Sequence, residues 1–188
     1  MNNPVNNDAG NKPSGTAGRF LYDYVYPIVI ALLLAVFITQ CLVFNARVPT
    51  ESMVHTIEAG DRFVGWRPAY LLSKPAQGDI IVFRSYEMSG DIYDCTLVKR
   101  VIANEGDRIC INSGVVYVND IPMDEPYING SFDSDMAEIH VPEGCCFVMG
   151  DNRSSSYDSR YWLNPFVRYS DIYAKVIWIY YPKPRVPD

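Results

Sequence analysis

Histidine and metal-binding motifs are scarce in this 188-residue chain. It holds two histidines and five cysteines, with no Cys-x-x-Cys and no His-Glu-x-x-His sequence. Protein zinc sites draw their ligands from these residue types at such spacings. We therefore expect neither a metal site nor another cofactor.

Positive charge is also in short supply. Sixteen lysines and arginines stand against 22 aspartates and glutamates, for a formal net charge of −6. Proteins that bind nucleic acid neutralise phosphates with a basic surface, so nucleic acid is not an expected partner. Apolar residues, in contrast, make up 48% of the chain, which is sufficient for the core of about one domain.

One long uncharged segment separates the N-terminal region from the rest. The 23 residues between Asp23 and Arg47 carry no charge, and the apolar run over 28–44 is long enough to cross a bilayer as a helix. The residues before it have few apolar side chains to bury. We therefore predict a disordered tail over 1–22 and a single membrane-spanning helix over 23–46.

Two other structures compete for the same segment. A buried core helix would usually be shorter and would carry a polar stripe. A cleaved signal peptide would end in small residues, whereas the exit at 44–46 (FNA) places a phenylalanine three residues before the cut. Two basic residues precede the segment and two follow it, so the distribution of positive charge does not fix its orientation.

The remaining residues, 47–188, have the pattern of a β-rich domain. Short alternating runs at 79–84, 97–102, 115–118 and 175–181 are separated by Gly-Asp, Ser-Gly and Asn-Asp turn signals. We therefore predict a mainly β fold in which one N-terminal transmembrane helix is followed by an antiparallel sheet. The acidic stretch around 120–144 is predicted to be a small appendage between core strands.

A serine and a lysine occupy unusual places in this domain. Ser52 lies among apolar residues just after the predicted anchor, and Lys99, one of five lysines, lies inside an apolar strand. Alternation puts Lys99 on one face of that strand and Arg100 on the other, so a cation shares whichever face is buried. Burial lowers the pKa of a lysine, and the neutral amine is able to accept a proton from a hydroxyl group.

Simpler explanations exist for both residues. A serine in a loop is more often a surface or capping residue, and in an edge strand the stems of Lys99 and Arg100 would both reach solvent. A histidine base is less suitable than Lys99, because His55 is only three residues from Ser52 and His140 lies in the acidic appendage.

Four sequence blocks carry a more specific signal. They are 48–61, 78–84 (GDIIVFR), 98–107 (VKRVIANEGD) and 148–162 (VMGDNRSSSYDSRYW). In this order and spacing they resemble the type I signal peptidases, which are membrane-anchored Ser-Lys proteases. The single anchor and the short appendage are similar to the compact Gram-positive form of that family.

The resemblance implies a role for each matching residue. Ser52 would be the nucleophile and Lys99 the general base. Ser156 would orient the lysine amine, while Asp158 and Arg160 would form a structural ion pair beside it.

The resemblance also implies an oxyanion hole and a substrate pocket. The Thr50 hydroxyl and the Ser52 N–H would bind the oxyanion. The apolar residues that flank the catalytic pair would line shallow pockets for small substrate side chains: Val48, Met53, Ile57, Leu97 and Val98.

Three positions depart from the usual family pattern. Ala103 stands where the lysine block commonly has glycine, and His55 stands where the nucleophile block commonly has proline. Glu51 places a carboxylate beside Ser52. A carboxylate turned inward would stabilise the ammonium form of the lysine, so we expect Glu51 to face solvent.

The function implied by the resemblance is removal of N-terminal signal peptides from exported preproteins by a membrane-bound serine endopeptidase. Its partners would be such preproteins and the lipid bilayer, and we expect a monomer. It would cross the plasma membrane once, with the N-terminus in the cytoplasm and the catalytic domain outside. The alternative is a non-catalytic, membrane-tethered β domain for adhesion or assembly. A self-cleaving repressor protease would need a DNA-binding domain where the apolar segment lies.

Overall fold

The chain divides into an N-terminal unit, residues 1–41, and a second unit, residues 42–188, here called the β body. The computed structural model describes residues 16–85, 95–128, 130 and 132–187. Most of the predicted N-terminal tail, residues 1–15, lies outside the described residues.

The N-terminal unit is a helix of mixed geometry. It comprises α1 (Thr16–Phe20), a π-helical turn (Leu21–Val25), α2 (Tyr26–Phe37) and a second π-helical turn (Ile38–Leu42). Pro27 lies in the first turn of α2, directly after the first π-helical turn. Residues Gly18–Leu42 are long and apolar enough to cross a membrane, and the described part of the chain contains one such helix.

The helix begins earlier and ends earlier than predicted. Residues 16–22, assigned to the tail, are helical, whereas residues 43–46, assigned to the anchor, belong to a strand. That strand pairs with a second one, so that Ala46 lies opposite Phe63. A continuous apolar run does not distinguish a helix from a strand, and the pairing partner decides where the helix stops.

Eleven strands are present in the described residues, and they form two antiparallel sheets. The strands are β1 (Val43–Arg47), β2 (Arg62–Trp66), β3 (Ile80–Ser85), β4 (Cys95–Asn104), β5 (Arg108–Asn112), β6 (Val115–Val118), β7 (Ile121–Pro122), β8 (Met136–His140), β9 (Cys145–Met149), β10 (Val167–Arg168) and β11 (Ile172–Tyr181). The large sheet has the order β1-β2-β11-β3-β4-β9-β10 and the small sheet the order β7-β6-β5-β8. Short 3₁₀ helices occupy Arg67–Tyr70, Arg153–Ser155 and Tyr169–Asp171. The predicted mainly β, antiparallel fold is confirmed.

Tight turns connect three strands of the small sheet, and part of the predicted appendage supplies two of its strands. Ser113-Gly114 joins β5 to β6 and Asn119-Asp120 joins β6 to β7, and all four residues have positive φ. Two-residue loops of this kind match the twist of the strands that they connect. The stretch around 120–144 also supplies β7 and β8, so it is an integral part of the small sheet.

Both faces of strand β3, in the interior of the large sheet, are buried. On β3, Ile80 and Val82 pack in one cluster, while Ile81 and Phe83 pack in another on the opposite face. Residues 80–83 are all apolar and buried, so the alternation predicted for the run at 79–84 does not hold within this strand, as is typical of a strand covered on both faces.

Strand β4 lies between β3 and β9, in the interior of the large sheet. Lys99 and Arg100 are each only 3% exposed, on opposite faces of this strand. The structure therefore excludes the edge-strand explanation for these two cations.

Candidate active site

Lys99 is buried in the middle of the large sheet. It lies opposite Ile81 of β3, on the face that also carries Phe83 and Val101. Burial lowers the pKa of Lys99 to about 8; the Asp158 carboxylate opposes this shift, and the Arg160 guanidinium adds to it. With such a pKa, roughly a tenth of the amines would be neutral at pH 7.

Ser52 lies in the turn-rich loop over 48–61 between β1 and β2, here called the serine loop, and it is partly exposed. The next residue, Met53, is buried in the core and holds the loop against the sheet. Asn152 fixes the serine backbone from the other side: its backbone N–H donates to the Ser52 carbonyl at 3.0 Å, and its Nδ2 donates to the Glu51 carbonyl at 3.0 Å. The sequence pattern did not single out Asn152, which ties the serine loop to the segment after β9.

Gly150 is the point where the serine loop meets Ser156. A Cβ atom placed on Gly150 would lie 2.6 Å from the Ser156 Cβ and closer still to the Ser156 hydroxyl and the Ser52 carbonyl oxygen. No side chain fits in this space, so glycine permits the approach of the two serines. The close packing holds the Ser52 backbone beside the Ser156 side chain.

Asp158 is the centre of a buried hydrogen-bond network beside Ser156. Its Oδ2 accepts from the Ser156 hydroxyl at 2.7 Å and from the Gly150 N–H at 2.8 Å. Arg160 binds the same carboxylate through two nitrogens, at 2.8 and 3.0 Å. This bidentate arrangement fixes the position of the carboxylate.

A second buried ion pair lies between β4 and the segment after β9. Arg100 donates from Nε to Asp151 Oδ1 at 2.9 Å and from a terminal nitrogen to Oδ2 at 2.7 Å. The Thr56 hydroxyl of the serine loop donates to the same Oδ2 at 2.5 Å. The alternation of β4 indicated a buried cation, but no local pattern predicted that Asp151, 51 residues away, would pair with it.

The five predicted pocket residues separate into two groups. Val48, Met53 and Ile57 are buried in one cluster, and the half-buried Val98 packs against them. Leu97 packs against the cluster on the opposite face of the sheet. The structure therefore does not bring all five side chains into one wall.

The polar residues around Ser52 are on the surface. Thr50 and Glu51 are exposed, which confirms the expectation that Glu51 faces solvent. His55 is also exposed, with its Nδ1 3.4 Å from Glu58 Oε1, and His140 is exposed at the end of β8.

Comparison with known proteins gives matches along most of the chain. Residues 21–181 match the family described as "Signal peptidase, peptidase S26". The probable signal peptidase I-1 of Synechocystis sp. is 33% identical over 178 residues, which cover 93% of this chain and 90% of that protein. The signal peptidase I of Bacillus caldolyticus is 32% identical over 171 residues, which cover 84% of this chain and 90% of that protein.

A crystal structure of a signal peptidase I from Enterococcus faecalis also matches. Its TM-score is 0.47 at 28% sequence identity, and the match covers 55% of this chain and 97% of that chain. All four sequence blocks lie within the residues that match the family.

Proposed function

The chain belongs to the signal peptidase family, peptidase S26, and from this premise we propose that it is a membrane-bound serine endopeptidase with a Ser52-Lys99 dyad. Its reaction would be the removal of N-terminal signal peptides from exported preproteins. The observation that carries the dyad is the burial of Lys99 in the interior of the sheet, which lowers the pKa of its amine to about 8 and so raises the fraction of the neutral form. One chain supplies all the proposed catalytic side chains, so we propose that the monomer is active.

In the proposed reaction, the Ser52 oxygen attacks the scissile carbonyl carbon and its proton passes to the neutral amine of Lys99. The tetrahedral intermediate then collapses, the C–N bond breaks, and the departing amine takes the proton from Lys99. Water then attacks the resulting ester and gives a proton to Lys99, and Lys99 passes this proton to the Ser52 oxygen as the ester bond breaks. The Thr50 hydroxyl and the Ser52 N–H would stabilise the oxyanion.

The network around Asp158 supports the orienting role of Ser156. Because the Ser156 hydroxyl donates its hydrogen to Asp158, its oxygen lone pairs remain available as acceptors for an amine N–H. Arg160 occupies the same carboxylate, and its positive charge favours the neutral form of Lys99. We propose that Ser156 turns the amine lone pair of Lys99 toward Ser52.

Substrate choice should depend on a small side chain at the residue before the cleaved bond. Val48, Met53 and Ile57 of the serine loop are already packed in the core, so they leave little depth for a large group. Replacing Ala by Phe at this substrate position should lower kcat/KM on the order of 10²-fold or more. The measurement is cleavage of matched preproteins by the full chain in detergent micelles, with N-terminal sequencing of the product.

Equal cleavage of the Ala and Phe substrates would reject the proposed pockets. A substrate with Ser at the same position serves as the control. Because the serine side chain is also small, this substrate should be cleaved at a rate close to that of the Ala substrate.

We further propose that the helix over Gly18–Leu42 anchors the protein in the plasma membrane, with the N-terminus in the cytoplasm and the β body outside. Its length and composition suit a membrane span, and signal peptides emerge on the outer side of the membrane. Protease added to intact spheroplasts should therefore digest the β body. Protection of the β body until the cells are lysed would reverse the proposed orientation.

A further inference from the structure

The segment between β7 and β8 places three side chains against the arginines that surround the site. Glu125 pairs with Arg153, Tyr127 stacks on Arg100, and Phe132 lies against Arg153 and Arg160. We propose that Glu125, Tyr127 and Phe132, here called the bridging residues, are positioning residues for the reaction of Ser52 and Lys99. This inference rests on the proposed function.

Glu125 holds an arginine that is fully enclosed. The side chains of Arg153 and Glu125 are 1% and 6% exposed, and Arg153 contacts both carboxylate oxygens, one of them at 3.0 Å. The Nε of the same guanidinium donates to the Gly150 carbonyl at 3.1 Å. Gly150 lies between the Ser52 carbonyl and the Ser156 side chain. A shift of Arg153 would therefore move Gly150 and change the contact between the two serines.

Phe132 joins this arginine to the Asp158 network. Its ring centre is 5.2 Å from the guanidinium carbon of both Arg153 and Arg160. Arg160 also donates to the Arg153 carbonyl at 2.9 Å while it binds Asp158. The aromatic ring therefore keeps both guanidinium groups in place and away from water.

Tyr127 covers the arginine of the second buried ion pair, Arg100–Asp151. Its ring centre is 3.9 Å from the guanidinium carbon of Arg100, and its hydroxyl donates to Glu125 at 2.8 Å. Arg100 in turn holds Asp151, which accepts from Thr56 of the serine loop. The bridging residues thus contact the arginines of both buried carboxylate pairs.

The bridging residues contact charged groups that influence the pKa of Lys99. The charges of Asp158, Arg160 and Asp151 shift the pKa of Lys99. Phe132 contacts the Asp158–Arg160 pair through Arg160, and Tyr127 contacts the Arg100–Asp151 pair through Arg100. A misplacement of about 1 Å far from the reacting atoms is able to cost a factor of about 10² in rate. The small sheet therefore contributes to catalysis through geometry, although none of the bridging residues is expected to touch substrate.

The principal test is Glu125→Gln in the full chain, with kcat and KM measured separately on a preprotein. We expect kcat to fall about 10- to 100-fold, while KM stays within about twofold, because no substrate contact is removed. The control for lost stability is Val116→Ala, which removes apolar volume from the core of the small sheet without changing any charge. It should lower the melting temperature but keep kcat near the wild-type value.

Phe132→Leu gives a second test if Glu125→Gln fails to fold. Leucine keeps the apolar cover but removes the aromatic face from both guanidinium groups, so kcat should fall about two- to fivefold without a large change in melting temperature. Wild-type kcat in the folded variants, or a loss no larger than that of Val116→Ala, would overturn the inference.

The wild-type chain and Ser52→Ala, assayed in parallel, separate this inference from the proposed function. Absence of cleavage by the wild-type chain overturns the proposed function, and the inference with it. Cleavage by the wild type but not by Ser52→Ala, together with full kcat in Glu125→Gln, overturns the positioning role alone.

Discussion

Ser52→Ala should abolish preprotein cleavage and leave the fold intact. Without the hydroxyl no acyl-enzyme forms, so the rate should fall on the order of 10⁴-fold or more. The serine loop should keep its position, because Asn152 binds the carbonyl groups of residues 51 and 52 and alanine retains them. The measurements are the cleavage rate in detergent micelles and the melting temperature of both proteins.

Ser73→Ala is a matched control for this change. Ser73 is an exposed serine whose hydroxyl donates only to the Ala69 carbonyl in the described structure, and we expect wild-type cleavage from this variant. Substantial processing by Ser52→Ala would show that another group is the nucleophile.

Local features of the fold were predictable from the sequence. The short runs at 79–84, 97–102, 115–118 and 175–181, which were predicted to be strands, correspond to β3, β4, β6 and β11. These strands were found because alternation and turn residues are local signals that a few consecutive residues carry.

Features that depend on distant pairing were not predictable in the same way. The helix ends at Leu42 because the following residues pair with β2, and no residue inside the apolar run marks this boundary. The burial of Lys99 depends on the strand order, in which β9 joins β4 from more than 40 residues along the chain. Alternation showed that Lys99 and Arg100 face opposite sides, but it did not show that both sides are covered.

The supporting contacts of the candidate site were missed for the same reason. Asn152, Asp151 and Glu125 are polar residues in turns or loops, where a solvent-exposed position is the ordinary expectation. Each reaches a partner that is distant in sequence: the serine loop, Arg100 and Arg153. The resemblance to a family implied the candidate catalytic residues, as well as Ser156 and the Asp158–Arg160 ion pair, but it did not imply these three contacts.

The dependence of activity on pH should identify the base. In the proposed dyad the reactive form of Lys99 is the neutral amine, so kcat/KM should rise as the pH rises through the pKa of the free enzyme. Because burial lowers that pKa to about 8, the midpoint should lie near pH 8 and well below the ordinary lysine pKa of about 10.4. A midpoint near 6.5 would instead indicate a histidine.

Lys99→Arg should be inactive although it keeps the positive charge. A guanidinium group stays protonated at any usable pH and does not accept the serine proton, so the rate should fall on the order of 10⁴-fold, as in Lys99→Ala. Lys175→Arg is the matched control, because Lys175 is a partly exposed lysine that pairs with Asp79. His55→Ala should also stay active, because this histidine is on the surface. An active Lys99→Arg enzyme, or an inactive His55→Ala enzyme, would move the base away from Lys99.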